Sequence, residues 1–341
     1  MSAETLPFNH LVAIYNPTKS RDHFDDVVKS LMLVRRLPLI VVESEPKPLD
    51  TAEKLALVLK ENSDPGEGNT LILPHGGDGT LNSILEPALE YDATVVPSGA
   101  GTANDFAVAM NGGRYNNLAH TPADILDMAI RGIITPVDIR LIEMMINGEL
   151  ENHDDRAGIE HRLLAANYAS FGLTAKASLE LNSEELRMAH GLLKKDIGEV
   201  LTVLQAAKDS RPMGLSTRDG KPDRSILDLA FMHGSRVAKR GKPPTDHTQN
   251  EILVSEMKSM ATFLNQPRVI GKFVMLMYQK VPGSYGTDGM HFELTGEQDE
   301  KGQKIYCQVD GEDRTFLSPL DVYVGPTEQT LPVLSAAHGM V

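Results

Sequence analysis

The sequence predicts a doubly wound α/β domain followed by a mostly β-stranded region. In the first part of the chain, short and continuously apolar runs alternate with segments of helical periodicity, and small-residue loops follow the runs. Past about residue 138, apolar residues recur at every second position, as in strands with one buried face. At 341 residues the chain is long enough for two domains.

Four short apolar runs are the predicted strands of a parallel sheet. They are Leu11–Tyr15, Leu39–Val42, Thr70–Leu73 and Ala93–Val96. Their brevity and continuous apolarity are typical of strands that are buried on both faces. We therefore expect a βαβαβα order with a ligand at the carboxyl ends of the strands.

Helices are predicted between these runs. One helical face carries Phe24, Val27, Val28, Leu31 and Met32, and another carries Leu81, Ile84, Leu85, Ala88 and Leu89. Asp50 with Glu53 fits a capping box before a third helix. Thr121 before Pro122 is typical of an N-cap followed by proline at the first helical position.

The second half of the chain reads differently. Period-two alternation runs through Ile305, Cys307 and Val309, and again through Leu320, Val322 and Val324. Helical spacing returns between Glu184 and Lys208, where we expect a helix. For the Pro-, Gly- and charge-rich stretch 211–247 we expect loops with short strands.

Composition excludes some classes of protein. A net charge of -14 argues against a general nucleic-acid binder, because phosphate contacts need a basic surface. The single cysteine, Cys307, cannot form an intrachain disulfide. The first residues lack a basic stretch followed by an apolar run, and no segment approaches the roughly 20 apolar residues of a membrane span. We expect a cytoplasmic protein whose contact with a membrane, if any, is peripheral.

A glycine-rich loop follows the third predicted strand, with the sequence Gly76-Gly77-Asp78-Gly79-Thr80. Glycines permit positive φ, so that successive N–H groups converge on an anion, and a helix beginning near Thr80 adds its positive dipole end. Asp78 would repel a phosphate unless a cation such as Mg²⁺ stands between them. By itself the loop is equally a strand-to-helix turn. It matches neither the P-loop nor the dinucleotide fingerprint.

Two further strand-to-helix junctions carry polar and small residues. The stretch 97–106 contains Asn104 and Asp105, which in isolation are most often a helix cap. The stretch 16–20, Asn-Pro-Thr-Lys-Ser, follows the first strand and offers hydrogen bonds to phosphate oxygens, although as an isolated turn it means little.

The three junctions, in this order, resemble the diacylglycerol kinase catalytic superfamily, and more closely its bacterial soluble lipid kinases; sphingosine and ceramide kinases belong to the same group. The similar segments are Asn16-Pro17, 76–82, 101–107, 167–172 and 308–312. The glycine loop alone is shared with NAD kinases and phosphofructokinases. The Asn104-Asp105-Phe106 and Asp310-Gly311-Glu312 segments therefore carry the assignment.

This resemblance implies a two-domain fold. A doubly wound α/β nucleotide-binding domain would span 1–138, with 325–341 returning to it. A β-sandwich domain that carries the acceptor site would span 139–324, and the active site would lie in the interdomain cleft. The loop 98–100 is longer than is usual in the family, which puts the contacts of that loop in doubt.

The resemblance also implies the site residues. Nucleotide binding would fall to Asn16, Pro17, Thr18, Lys19, Ser20, Gly76, Gly77, Asp78, Gly79, Thr80, Leu81, Asn82, Gly101, Thr102 and Asn104. Asp78, Asp105 and Asp310 would serve the Mg²⁺ site. The catalytic set would be Glu312, as proton acceptor, with Asp310 and Asp78. Read from the residues alone, Asp310-Gly311-Glu312 is equally a hairpin turn, although the strand alternation leaves Asp310 free to face a cleft.

The expected function is therefore that of an ATP- and Mg²⁺-dependent lipid kinase. Its partners would be ATP and a lipid acceptor presented at a membrane surface, diacylglycerol foremost, with no nucleic acid; a homodimer is left open. Two alternatives remain at this point. One is a kinase of NAD or another soluble metabolite, and the other is a catalytically silent nucleotide- or lipid-binding protein.

Overall fold

The computed structural model describes residues 8–62, 70–100, 105–111, 113–114, 117–151, 160–182, 206, 210–219, 222–233, 252–257, 285–296 and 304–337. The chain divides into two compact units. The first contains the described residues up to 141 and those from 327 onward, and the second contains those between 142 and 326. None of the helices in these described ranges is long and apolar enough to cross a membrane.

The first unit alternates strands and helices. Its elements are β1 (His10–Tyr15), α1 (Arg21–Val34), β2 (Leu39–Glu43), α2 (Pro48–Asn62), β3 (Thr70–His75), α3 (Asp78–Asn82), α4 (Leu85–Glu90), β4 (Thr94–Val95), α5 (Asp105–Asn111), β5 (Gly113–Arg114), β6 (Asn117–Leu118) and α6 (Pro122–Ile130). The strands pair in the order β2-β1-β3-β4, all parallel. This confirms the predicted alternation of strands and helices around a parallel sheet.

The sheet is buried because its strands are apolar on both faces. Leu11, Ala13, Leu71 and Leu73 point to one face, where they pack in a single core with Phe24 of α1 and with residues of α6. Val12, Ile14 and Ile72 alternate to the opposite face and are also inaccessible to solvent.

The second predicted helix is in fact two. The apolar face from Leu81 to Leu89 is divided between α3 and α4, with a turn at Ser83 and Ile84. Pro87 has no N–H to donate to the carbonyl of Ser83, so a continuous helix would lack one of its hydrogen bonds there. Periodicity alone missed this break.

Two predicted helix starts have different outcomes. At α6 the hydroxyl of Thr121 accepts the N–H of Asp124, whose carboxylate accepts the N–H of Thr121 in return, so the predicted N-cap is confirmed. The capping box at Asp50 is wrong, because α2 begins at Pro48 and Asp50 lies within its first turn.

The second unit is mostly β. Its elements are β7 (Pro136–Leu150, entering from the first unit), β8 (Glu160–Ala165), β9 (Tyr168–Gly172), α7 (Leu173–Asn182), β10 (Met213–Thr217), β11 (Arg224–Ile226), β12 (Asp228–Met232), β13 (Ile252–Met257), β14 (Tyr285–Thr287), β15 (Met290–Gly296), β16 (Lys304–Val309) and β17 (Glu312–Leu334, whose last residues belong to the first unit). Antiparallel pairing follows the order β14-β13-β12-β9-β16-β17, and β15 joins β17 to β10 and β11.

Alternation is confirmed on two strands of this unit. Ile305, Cys307 and Val309 are at most 1% exposed, and Leu320, Val322 and Val324 are fully buried. All six residues belong to one hydrophobic core together with Phe171, Phe231 and Phe292. The helix predicted for 184–208 lies outside the described residues except for Ala206.

Helix α7 was not predicted, and the structure shows why. Its first turn is held by Asp228, whose carboxylate accepts the N–H of Thr174 at 2.7 Å and the hydroxyl of Thr174 at 2.8 Å. That acceptor comes from a strand more than fifty positions away in the chain. A search for helix-start residues near position 173 therefore finds no cap.

Candidate functional site

The predicted loops leave the first sheet side by side. Strands β1 and β3 are parallel and adjacent, and their last residues, Tyr15 and His75, are in register. The turn after Tyr15 and the glycine loop after His75 therefore begin next to each other at the carboxyl edge of the sheet.

The turn at 16–20 is closed by its own side chains. The side-chain carbonyl of Asn16 accepts the N–H of Thr18 at 3.0 Å and the hydroxyl of Thr18 at 2.7 Å. Ser20 caps α1 by accepting the N–H of His23 at 3.3 Å. The amide of Asn16 also donates to the hydroxyl of Thr80 at 3.4 Å, which joins this turn to the glycine loop.

Position 76 requires glycine because the side chain of Thr80 lies too close for a Cβ, and not because its φ is positive. A Cβ placed at Gly76 would collide with the side chain of Thr80. Gly77 is extended at φ -99° and Gly79 lies within α3, and neither is among the described glycines with positive φ. The expectation that these glycines use left-handed backbone is thus wrong. The helix starts at Asp78, earlier than expected, and spans only five residues.

Asp78 connects the glycine loop to the second small-residue loop. Its Oδ1 accepts the N–H of Phe106 in the first turn of α5 at 3.3 Å. The carbonyl of Gly76 accepts the N–H of Ala100 at 2.9 Å, which joins the same two segments through the backbone. Sequence reasoning did not foresee these contacts, because the residues are more than twenty positions apart.

Several predicted site residues receive no structural description. Gly101, Thr102 and Asn104 lie outside the described residues. Asp105 begins α5, but its side chain lies outside them too. Leu81 is 4% exposed, so only its backbone could meet a bound nucleotide.

Few of the described side chains are placed to bind a metal ion. Among the residues whose placement is described, no group of three or more His, Cys, Asp or Glu side chains lies close enough to hold a metal ion. Mg²⁺ that accompanies a nucleotide usually takes one or two carboxylates together with phosphate oxygens and water. Asp78, at the start of α3 in a glycine loop, fits that limited requirement.

Next to the loop lies a histidine pair that sequence reasoning missed. The Nε2 of His75 lies 3.2 Å from the Nδ1 of His23 on α1, and the Nδ1 of His75 lies 3.4 Å from the hydroxyl of Ser98. Burial of His75, together with the charge of His23, lowers the pKa of His75 from 6.5 to about 4. No local sequence signal reveals the pair, because its members come from separate junctions.

In the second unit the Asp310-Gly311-Glu312 segment is a hairpin turn. Val309 and Glu312 pair across it, and the two intervening residues have φ of 46° and 89°. Positive φ at both positions defines a type I′ turn, for which Asp-Gly is a preferred sequence. The hairpin reading of the sequence is therefore confirmed, and the turn places Glu312 at the first position of β17.

Strand alternation predicted that Asp310 is free to face a cleft, but the structure engages both of its carboxylate oxygens within the protein. It is fully buried, and its Oδ1 accepts the N–H groups of Asn167 and Tyr168, each at 3.0 Å. Its Oδ2 accepts the N–H of Ala166 in a very short hydrogen bond. The left-handed backbone at Asp310 turns the carboxylate toward the β8–β9 connection, which strand alternation could not show. Its assignment to the metal site stays a prediction.

The carboxylate of Glu312 is partly shielded from solvent. It is half-buried, and burial raises its pKa above the ordinary value, while the charge of Arg314 opposes that shift. A carboxylate of higher pKa is a better proton acceptor at neutral pH than an ordinary glutamate. Arg314 is a further residue that sequence reasoning did not single out.

Comparison with known proteins identifies relatives at two levels. Residues 10–142 match the family model of the diacylglycerol kinase catalytic domain. A solved structure from Bacillus anthracis str. Sterne, provisionally named a diacylglycerol kinase, is 13% identical, with a TM-score of 0.62 over 97% of this chain and 99% of that one. Another structure, named a diacylglycerol kinase from the same organism, is 14% identical, with a TM-score of 0.60 over 97% and 98% of the two chains. At such low identity these structures show the shared fold alone. A search among curated proteins found no match.

Proposed function

We propose that the chain is a lipid kinase, because residues 10–142 match the family model of the diacylglycerol kinase catalytic domain. It transfers the γ-phosphoryl group of ATP to a lipid hydroxyl, with diacylglycerol as the first candidate and phosphatidic acid as its product. The observation that supports the proposal is the family match. The matched segment contains the glycine loop, which follows β3 at the carboxyl edge of a parallel sheet.

The first unit is the proposed nucleotide-binding part. Three junctions at its carboxyl edge are joined by direct contacts, from Asn16 to Thr80 and from Asp78 to the N–H of Phe106. Such a braced edge holds backbone N–H groups and small side chains in fixed positions for phosphate oxygens. Positioning and charge neutralisation supply most of the rate in phosphoryl transfer.

Asp78 is the carboxylate of the glycine loop that we propose as a ligand of Mg²⁺. When bound, Mg²⁺ would neutralise charge that develops on the phosphate oxygens. The hydrogen bond from the N–H of Phe106 holds one oxygen of Asp78 in place, which orients the other. Asp105 and Asp310 remain proposed ligands of Mg²⁺.

Glu312 is the proposed proton acceptor for the hydroxyl of the lipid. Burial raises its pKa, so the carboxylate takes up a proton more readily than an exposed glutamate would. The O–P bond forms as the hydroxyl proton passes to Glu312 and the ADP oxygen leaves with the electron pair of the broken bond.

One assay tests the proposal and its main competitor together. Purified protein is given ATP labelled at the γ-phosphate and Mg²⁺ with mixed micelles of diacylglycerol, monoacylglycerol, sphingosine or ceramide, and NAD is offered in a parallel reaction. We expect labelled phosphatidic acid in wild type and at least about a hundredfold less in Glu312→Gln, while Glu143→Gln, which alters an ion pair with Arg162, stays active.

Other results would assign the chain differently. Labelled NADP would replace the lipid-kinase proposal with an NAD kinase, which the shared glycine loop allows. The absence of any labelled product, in reactions where an authentic lipid kinase is active, would favour a silent binding protein.

A further inference from the structure

His75 occupies a central place at the carboxyl edge of the first sheet. It is the last residue of β3, directly before the glycine loop, and it is fully buried. Its ring packs edge-on against Phe24 of α1, with ring centres 5.3 Å apart. A polar ring in such a position needs hydrogen-bond partners, since an unpaired buried nitrogen is costly.

Both ring nitrogens of His75 find partners on other junctions. Nε2 meets the Nδ1 of His23 at 3.2 Å, and Nδ1 meets the hydroxyl of Ser98 at 3.4 Å. His23 is exposed and lies in the first turn of α1, after the 16–20 turn; Ser98 lies in the loop before α5. The ring of His75, directly before the glycine loop, thus contacts the first turn of α1 and the loop after β4.

The two contacts are compatible with neutral histidines in two ways. In one arrangement the hydroxyl of Ser98 donates to Nδ1 of His75, and Nε2 of His75 donates to Nδ1 of His23. In the other, Nδ1 of His23 donates to Nε2 of His75, and Nδ1 of His75 donates to the hydroxyl of Ser98. Two protonated rings could not share the short contact between His23 and His75, because both nitrogens would then carry hydrogens. Among the described residues, the titratable and charged groups on the adjoining elements include His23 and Arg21 on α1, Tyr15 on β1 and Asp78 on α3. The guanidinium of Arg21 lies 4.7 Å from the ring centre of Tyr15.

We propose that His75 is a positioning residue for the nucleotide loops, setting their spacing through its hydrogen bonds to His23 and Ser98. This inference rests on the proposed function only in that ATP is the ligand measured. Backbone bonding from Ala100 to Gly76 joins two of the loops independently. The amide of Asn16 joins the 16–20 turn to the glycine loop. His75 adds side-chain contacts to α1 and to the loop after β4.

Binding of ATP is the first measurement, by calorimetry with Mg²⁺ at pH 7.5. His75→Phe keeps the ring that packs on Phe24 and removes both hydrogen bonds, so we expect ATP to bind about tenfold more weakly. Ser98→Ala and His23→Ala each remove one bond, and we expect a loss of about threefold for each. The matched control is His10→Phe, at the start of β1 on the opposite edge of the sheet, which should bind as wild type does.

A combination of changes separates positioning from general damage. If Ser98 acts through His75, the double variant His75→Phe/Ser98→Ala binds ATP as weakly as His75→Phe alone. Independent damage would instead make the two losses multiply. His75→Asn, whose amide reaches toward Ser98, should recover part of the affinity in the presence of Ser98 and none with Ser98→Ala.

Histidine NMR supplies a readout that does not depend on any ligand. In protein labelled at the imidazole nitrogens, the signal of His75 should remain that of a neutral ring down to pH 5.

The possible failures are distinguishable. If wild type binds ATP, and Ser98→Ala, His23→Ala and folded His75→Phe bind it with the same affinity, the positioning role is overturned. The proposed function then stays intact. A wild-type protein that binds no ATP would overturn the proposed function and, with it, this inference. Should His75→Phe not fold, the two single variants on Ser98 and His23 decide the matter.

Discussion

The carboxylate of Asp78 accepts the backbone N–H of Phe106 at 3.3 Å, so the first residue of α3 is bound to the first turn of α5. The negative charge of Asp78 also lies close to the positive, N-terminal end of the α5 dipole, which is a stabilising arrangement. In the proposed kinase, one side chain therefore has two tasks. It braces two loops, and it supplies charge for the metal.

The two tasks of Asp78 separate in two substitutions. Asp78→Asn retains an oxygen for the N–H of Phe106 and removes the charge, so we expect normal thermal stability and a kcat lower by about a hundredfold or more. Asp78→Ala should lose stability as well, by about 1 kcal/mol. Thermal melts and lipid-kinase rates check both. Asp127→Asn, at an exposed ion pair on α6, serves as the control.

A change of Glu312 should affect the chemical step and not nucleotide binding. Glu312→Gln removes the proton acceptor, and we expect kcat to fall by about a hundredfold to ten-thousandfold with an unchanged KM for ATP. Initial rates over a range of ATP concentrations measure both. A rise in the KM for ATP with normal kcat would contradict the assigned role.

The pH dependence should reveal the influence of Arg314. Because Glu312 must be deprotonated to act as a base, activity falls as the pH drops through its pKa, and burial moves that limb above the position for an ordinary glutamate. Arg314→Met removes the charge that lowers this pKa, so we expect the acidic limb of kcat/KM to move to still higher pH. An unmoved limb would show that a different group controls it.

Asp310 should be important for stability. Asp310→Asn keeps a residue that tolerates the left-handed turn, but it sets an NH₂ group against a backbone N–H and removes the charge that three amides share. We expect a loss of about 2 to 4 kcal/mol in urea unfolding. Asp321→Asn, at a partly exposed position of β17, should cost little.

The same variant tests the assignment of Asp310 to the metal site. If Asp310 contributes to binding Mg²⁺, added Mg²⁺ with ATP should raise the Tm of wild type by more than that of Asp310→Asn. Equal shifts would leave Asp310 as a structural anchor of the β8–β9 connection alone.

His75 should make stability depend on pH. Its pKa is about 4 in the folded protein against an ordinary 6.5, so the unfolded chain takes up a proton first as the pH falls. The stabilisation is complete above pH 6.5 and shrinks toward pH 4, by about 2 kcal/mol between pH 7.5 and pH 5. Urea unfolding of wild type and His75→Phe at both pH values isolates this contribution. A parallel decline in the two proteins would contradict it.

The sheet of the first unit and two strands of the second could be predicted from local sequence, because their own apolar patterns specify them. The four parallel strands, the N-cap at Thr121 and the alternation around Cys307 depend on neighbours within a few residues. The order of the junctions also indicates the superfamily, and residues 10–142 match the family model of its catalytic domain.

Tertiary structure decided whatever depends on partners far apart in the chain. Asp228 caps α7 from another strand, Asp310 turns its carboxylate toward the amides of 166–168, and His75 meets His23 and Ser98 from two other junctions. Each of these contacts joins residues that the sequence keeps far apart, and hydrogen bonding acts over about 3 Å in space. The sequence determined which residues are available at the edge of the sheet, and only the fold decided which of them touch.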